Sequence, residues 1–377
     1  MKINPSNKTL QKKVVLFRVD SSKEIGYGHV MRCLALAKAL AVSNNVKIIF
    51  VCRDFEGSIH HLIESCDFQV ILLNQHMRSK STINLSKGPY AYSYRLALPQ
   101  EEDVKEFVDK TLVYKGFIEL IITDHYAIGD VWHRLVAGYT KKILAIDDLG
   151  DRAHFSDYLI DQTFNCNKSK YLNLVPSHTQ LLLGTEYCLL REEFNNSDEV
   201  KLLKVRKRSN LNTVLVMLGG TNPDNIVNKI IYLISQMTIV KKINIIVNEK
   251  VEYLSDIKAL CFNHKNAVLH ISPNNIAEIM QESDIAIGAA GSASWERCTQ
   301  GLPSIVIVLS ENQREISEVL ENAGVVKVLE LNQLHNKLKQ TLLNWLNDKE
   351  EYYSSVKQCF NICDGLGISR VIKVLLK

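Results

Sequence analysis

The stretch RVDSSKEIGYGHVMRCLALAKAL, Arg18 to Leu40, constrains the fold more than any other part of the chain. It begins at the end of an apolar run, Val14-Val15-Leu16-Phe17, and passes through a polar loop holding Gly26 and Gly28. It ends in a pattern whose apolar residues Val30, Leu34, Ala37 and Ala41 recur at helical spacing. Strand, glycine turn and helix form the opening unit of a doubly wound α/β domain. In such domains the turn lies at the carboxyl end of the strand, where open sheets bind ligands and the next helix presents unpaired N–H groups. His29 stands at that helix start. A Gly-x-Gly pair also arises by chance and a lone histidine is often structural, so the assignment needs support from the rest of the chain.

The theme repeats. Val46-Lys-Ile-Ile-Phe-Val51 reads as a buried strand, followed by a helix over about 57–66 and a strand from Phe68 to Leu73. Residues 74–100, with Gly88-Pro89 and the tyrosines Tyr90, Tyr92 and Tyr94, read as an irregular surface excursion. A helix starts near Gln100-Glu-Glu-Asp103, whose acids suit a helix N-terminus. Strands then end in Asp124-His125-Tyr126, in Asp147-Asp148 and in Asp161-Gln162, the pattern of a parallel sheet with polar residues at its strand ends. After Leu190 the composition shifts, and REEFNNSDEVKLLKVRKRSNLN reads as a charged linker. Beyond it, Thr213–Leu218 is a strand, Gly219-Gly220-Thr221 a glycine turn and 225–237 a helix. Further strands are expected at Lys242–Val247, Ala267–Ile271, 285–287 and 304–309. Ala289-Ala-Gly291-Ser292 opens another helix, and residues 333–377 are mainly helical. The last helix is able to pack back across the junction. The expected domains are 1–190, a linker 191–212, and 213–377.

Several classes fall away. At 377 residues the chain exceeds what one core usually supports. The net charge of +4 is spread thinly, and its one basic cluster, Lys201 to Arg208, lacks interleaved aromatics, so it reads as solvated linker and not as a nucleic-acid surface. Nine cysteines without a Cys-x-x-Cys pair suit reduced thiols in a cytoplasm. Residues 1–13 have no apolar core of a secretory signal, and no apolar run reaches the ~18 residues of a membrane span. No Gly-x-x-x-x-Gly-Lys-Ser/Thr occurs, the opening turn lacks Gly-x-Gly-x-x-Gly, and Asp-x-Asp is absent. The glycine turns of the second half suggest instead a diphosphate held by backbone N–H groups, or glycines that merely allow close packing of helix on strand.

The segments GYGHVMRCLALA, TDHYAIG, AIDDLGDRAHFSDYLIDQ, LLGTEYCLLREEF, LGGTNPDN and GAAGSASWERCTQGLPSIVIVLSENQ occur in an order that closely resembles the UDP-2,4-diacetamido-2,4,6-trideoxy-β-L-altropyranose hydrolases of pseudaminic acid biosynthesis. The resemblance covers roughly residues 14–325; the 74–100 excursion matches poorly. It implies an α/β fold of GT-B architecture, two Rossmann-like domains facing across a cleft. It also implies metal-independent hydrolysis of a UDP-sugar in a pathway that supplies surface polysaccharide or flagellin glycosylation. Neither cofactor, nucleic acid nor membrane is an expected partner; a small-molecule UDP-sugar is.

The resemblance places the catalytic histidine on His29. The positive end of the helix dipole there disfavours imidazolium and leaves the ring able to accept a proton. Asp20 can hold the ring, hold the sugar or cap a turn. Tyr126, expected to be catalytic beside His29, matches a family position that lines the sugar pocket. His125 is a weaker second base, and Asp147, Asp148 and Asp151 read as turn caps and cleft hydrogen bonds, with Asp148 taken as a substrate contact. Gly26, Gly28, Gly219, Gly220, Thr221, Gly291 and Ser292 are expected to meet the substrate, and Glu296 the ribose hydroxyls. Asn312 and Gln313 follow a strand end and are expected near the sugar, whereas Trp295 reads as core. The rival readings are a glycosyltransferase on the same fold and a non-catalytic UDP-sugar-binding protein. Release of free sugar without an acceptor separates them.

Overall fold

The computed structural model describes residues 12–42, 45–75, 90–195, 202–203, 206, 210–219 and 225–376. The chain divides into two compact units, Met1–Leu189 with Val371–Lys377, and Leu190–Arg370.

In the first unit, strands β1 (Lys13–Val19), β2 (Val46–Arg53), β3 (Gln69–Leu73), β4 (Ile118–Asp124), β5 (Lys142–Ile146), β6 (Tyr158–Asp161) and β7 (Gln180–Leu183) form one sheet in the order β3-β2-β1-β4-β5-β6-β7. Every pairing is parallel. Six of the seven residues of β1 are buried without alternation, as in a parallel strand covered on both faces. The helices are α1 (Gly28–Ala41), α2 (His60–Glu64), α3 (Gln100–Thr111) and α4 (Asp130–Val136). Helix α1 buries Val30, Cys33, Leu34, Ala37 and Leu40, spaced three and four apart.

Strand order reverses between β1 and β4. Chain from β1 runs outward to β2 and β3 on one side, while β4 to β7 build the other, so a crevice opens at the carboxyl ends of β1 and β4. Beneath it lies a buried ionic cluster. Arg18 of β1 donates to Asp103 Oδ1 and Oδ2 (3.1 and 2.7 Å), and Arg53 of β2 donates to Asp103 Oδ2 (2.7 Å). Trp132 Nε1 donates to Asp103 Oδ1 at 2.9 Å. Asp103 therefore does not serve helix α3 as an exposed dipole partner, as its sequence position suggests; it is fully buried between two guanidinium groups.

The second unit holds β8 (Thr213–Met217), β9 (Lys242–Val247), β10 (Ala267–Ile271), β11 (Ile285–Gly288), β12 (Ser304–Val308) and β13 (Val326–Glu330), parallel in the order β10-β9-β8-β11-β12-β13. Its helices are α5 (Ile226–Ser235), α6 (Leu254–Asn263), α7 (Ile276–Glu282), α8 (Ser292–Thr299), α9 (Arg314–Asn322), α10 (Leu334–Asn347) and α11 (Lys349–Ile362); the last helix, α12 (Gly367–Leu375), starts in this unit and ends in the first. Again the order reverses, here between β8 and β11. Arg206, part of the basic stretch expected to be solvated, is instead buried, and it donates to the carbonyls of Gln300, Met280 and Ser283. Trp295 is core, as expected.

Candidate active site

The candidate residues of the first unit follow β1 and β4, where the strand order reverses, and, for Asp148, the adjacent β5. The turn after β1 carries the chain into α1, and Gly26 closes it with φ +82°, a conformation glycine adopts without strain. Its N–H donates to Ser22 O at 2.9 Å. Gly28 is exposed at the first position of α1, and no side chain caps that helix end. His29 and Arg32 follow one helical turn apart, on the same face.

Five charged or ring groups converge there. His29 Nδ1 meets Asp124 Oδ1 at 2.6 Å. Arg32 grips the same carboxylate with two prongs, Nε to Oδ2 at 2.6 Å and Nη2 to Oδ1 at 2.7 Å, and reaches Asp148 Oδ2 with Nη1 at 2.6 Å. The ring of Tyr126 stands edge-on to His29, centroids 4.6 Å apart, and its hydroxyl donates to Asp148 Oδ2 at 3.4 Å. Burial alone would push the Asp124 carboxyl up, but Arg32, and then His29, hold it well below the ordinary carboxylate range. An ionised carboxylate only accepts hydrogen bonds, so the ring donates from Nδ1. Nε2 then carries the lone pair, and it has no partner among the described residues. Arg32 Nη2, 3.3 Å from Nδ1, faces another donor and forms no hydrogen bond with it.

The neighbours are differently tuned. Burial, reinforced by Asp148, pushes the Tyr126 phenol far up, so it stays protonated and donates. Burial also raises Asp148, against the pull of Arg32 and with the repulsion of Asp161 and Asp124. Burial lowers the imidazole of His125 to about 3, against the pull of Asp20. His125 Nδ1 accepts from the Ala127 N–H at 3.1 Å, so this ring braces a turn.

Asp20 does not orient His29. It is fully buried, and its Oδ1 accepts from Arg18 Nη1 and from the Arg53 backbone N–H, both at 2.6 Å. The orienting carboxylate is Asp124, which sequence reading passed over as the first letter of Asp-His-Tyr. The acids after β5 divide as follows. Asp147 Oδ2 accepts from the Gly150 N–H at 2.8 Å, and its Oδ1 pairs with Arg152 at 2.8 Å, as does Asp151. Among the described residues no group of three or more His, Cys, Asp or Glu side chains is arranged to hold a metal ion.

In the second unit, Gly219 follows β8 with φ +99° and is exposed. Gly291 follows β11 with φ +154° and leads into α8, whose first residue, Ser292, is exposed. Both turns lie at carboxyl strand ends beside the reversal. Glu296, one helical turn beyond Ser292, is half-buried and pairs with Arg191 at 3.2 Å; burial raises its carboxyl against that pull. Gln313 Oε1 accepts from the Leu309 N–H at 3.1 Å and so closes the end of β12. Gly220 and Thr221 lie outside the described residues, as does the side chain of Asn312.

Two parallel, doubly wound sheets of this kind define the GT-B class, and comparison with known proteins agrees. Residues 213–363 match the glycosyltransferase family 28 C-terminal domain. The spinosyn rhamnosyltransferase SpnG superposes with a TM-score of 0.65 at 13% identity, over 96% of this chain and 100% of that one, a likeness of fold. The spore coat polysaccharide biosynthesis protein SpsG of Bacillus subtilis is 23% identical over 94% of this chain and 96% of its own length. The UDP-2,4-diacetamido-2,4,6-trideoxy-beta-L-altropyranose hydrolase of Campylobacter jejuni is 30% identical, covering 82% of this chain and 97% of the relative. The chain belongs to that hydrolase family.

Proposed function

We propose that the protein hydrolyses UDP-2,4-diacetamido-2,4,6-trideoxy-β-L-altropyranose to UDP and the free 2,4-diacetamido-2,4,6-trideoxy-L-altropyranose, in the cytoplasm and on the route to pseudaminic acid. The observation that carries this reading is the 2.6 Å bond from His29 Nδ1 to Asp124, which leaves Nε2 unpartnered at a strand-order reversal. An imidazole held in that tautomer is a general base for water.

Water attacks the anomeric carbon, Nε2 of His29 takes its proton, and the bond from that carbon to the diphosphate oxygen breaks with the electron pair leaving on UDP. Asp124 stabilises the imidazolium that forms, and Arg32 keeps Asp124 ionised and in place. Asp148 holds Arg32 and Tyr126, and Tyr126 walls the sugar. The uncapped start of α1 at Gly28 offers backbone N–H groups to the substrate, and Gly26 shapes the turn that presents them. In the second unit, the N–H groups around Gly219, Gly220, Thr221, Gly291 and Ser292 hold the diphosphate, and Glu296 accepts from the ribose hydroxyls. Asn312 and Gln313 complete the substrate contacts.

Fixed N–H dipoles stabilise charge on the departing UDP without a cation. The acids of the first unit support this, because Asp124, Asp147, Asp148 and Asp151 already meet arginines. The test is to incubate the protein with the UDP-diacetamido sugar in EDTA and no acceptor. Equal amounts of UDP and free sugar are expected. UDP formed only with an added acceptor points to a transferase, and turnover restored only by Mg²⁺ or Mn²⁺ overturns the metal-independent step.

A further inference from the structure

We infer that Arg95, backed by Tyr92, is a specificity-determining contact for an acetamido substituent of the sugar, an inference that rests on the hydrolase reading above. The excursion expected to lie on the surface brings both residues to the site. Its end forms a 3₁₀ turn, Ser93–Leu96, anchored by the buried Leu96. Gln100 ties it down, donating to Tyr90 Oη at 3.2 Å while accepting from the Gly129 and Trp132 N–H groups at 2.8 and 3.1 Å. The guanidinium of Arg95 lies 4.4 Å over the Tyr92 ring and 5.9 Å over the Tyr126 ring. Those rings are 5.5 Å apart, and Tyr126 in turn contacts His29.

The Arg95 guanidinium has no hydrogen-bond or carboxylate partner among the described residues, and its Nε is buried without an acceptor. A buried donor left unpaired costs free energy, so Nε calls for an acceptor that the described residues do not supply. The carboxylates around His29 do not supply it: Asp124 is engaged by Arg32 and His29, and Asp148 meets Arg32 through Oδ2 while its Oδ1 makes no bond to Arg95.

The chemistry of displacement chooses between the acceptors a UDP-sugar offers. Water activated by His29 attacks the face of the anomeric carbon opposite the diphosphate. Groups on the base's side of the sugar, Tyr126 and the Arg95 that lies against it, therefore reach the sugar's substituents and not the leaving phosphates. An arginine lying flat on aromatic rings presents an apolar slot edged by N–H donors. A planar acetamido group fits it, with its methyl on the ring and its carbonyl accepting from Arg95.

The experiment compares wild type, Arg95→Met, Arg95→Lys and Tyr92→Leu on the UDP-diacetamido sugar and on the analogue with a free amine in place of one acetamido group, with UDP as competitive inhibitor. Losing a hydrogen bond to a charged donor should raise KM for the diacetamido substrate about 10- to 100-fold in Arg95→Met. Its preference over the amine analogue should fall by a similar factor, while the UDP inhibition constant and thermal midpoint stay near wild type. Arg95→Lys and Tyr92→Leu should lie between. An unchanged preference in the arginine variants overturns the inference, as does UDP inhibition that weakens in step with KM, which would assign Arg95 to the diphosphate. If Arg95→Met does not fold, Arg95→Lys and Tyr92→Leu decide by the same two readouts. Wild-type protein that releases no sugar removes the hydrolase reading and this inference together; normal wild-type turnover with an unaltered Arg95→Met removes the inference alone.

Discussion

Asp124 and His29, 95 positions apart in the chain, meet in a 2.6 Å hydrogen bond that fixes which ring nitrogen holds the proton. One residue ends β4 and the other starts α1, so the pair exists only because β1 and β4 are neighbours where the strand order reverses. Arg32 then locks the carboxylate by both oxygens, sharing Oδ1 with His29.

This arrangement predicts the behaviour of a double variant. Asp124→Asn replaces an acceptor with a group that can donate to Nδ1 and so stabilises the wrong tautomer. We expect kcat to fall about 10²- to 10⁴-fold, as for a lost general base, with UDP affinity within a few-fold of wild type. His29→Ala should lose as much. The double variant should lose little beyond His29→Ala alone, because the two residues act as one unit. Additive losses would show that Asp124 acts without His29.

Acid sensitivity follows from the buried imidazoles. His125 is held down to about 3, and burial with the nearby His154 and Arg152 lowers His133 as well. In the unfolded chain histidine titrates near ~6.5. A depressed folded value means stability that is complete above about pH 6.5 and lost as pH falls toward about 3, at up to ~1.4 kcal/mol per pH unit for each proton. The urea midpoint should hold above pH 7 and decline from pH 6.5 to 4. His125→Asn, which keeps an acceptor for the Ala127 N–H, should make that decline shallower by about one proton.

Asp103 offers a test of the cluster beneath the site. Asp103→Ala leaves Arg18 and Arg53 facing each other in the interior with only Asp20, Glu106 and backbone acceptors nearby. Breaking a buried ion pair from one side costs about 3–5 kcal/mol. Denaturation followed by Trp132 fluorescence should register that loss, since Trp132 bonds directly to Asp103. The exposed Asp130–Arg134 pair is the control, and Asp130→Ala should cost at most about 1 kcal/mol.

The sequence made the repeated strand–helix theme legible because parallel strands read as short, unbroken apolar runs. It missed β7 and β13, the outermost strands on their sides of the two sheets. Leu181-Leu182-Leu183 is too short a run to stand out, and β13 has only two buried residues, Val326 and Leu329, among half-buried ones. His29 was legible because a glycine turn and a helix start surround it. Asp124 was not, because its role depends on which strands become neighbours. Asp103 and Arg206 misled for a related reason: a charged residue in a polar stretch looks solvated until a cross-chain partner buries it. The Tyr92–Arg95 pair belongs to the stretch with least periodicity, where pattern carries no positional information.

The position of bond cleavage remains the sharpest test of the chemistry. Water could attack phosphorus or the anomeric carbon. Fixed N–H dipoles around the diphosphate stabilise UDP as a departing group, which favours cleavage between carbon and oxygen. A retaining route would need a carboxylate free to bond the sugar. The carboxylates nearest His29 are ill suited to that role, because Asp124 is held by Arg32 and His29, Asp148 is held by Arg32, and Asp20 is fully buried against Arg18. A single displacement by water activated at Nε2 therefore inverts the anomeric centre. Hydrolysis in ¹⁸O-labelled water should place the label in the sugar and none in UDP, and proton NMR at early times should show the inverted anomer first. Label in UDP would move the attack to phosphorus, and a retained anomer would demand a nucleophile other than water.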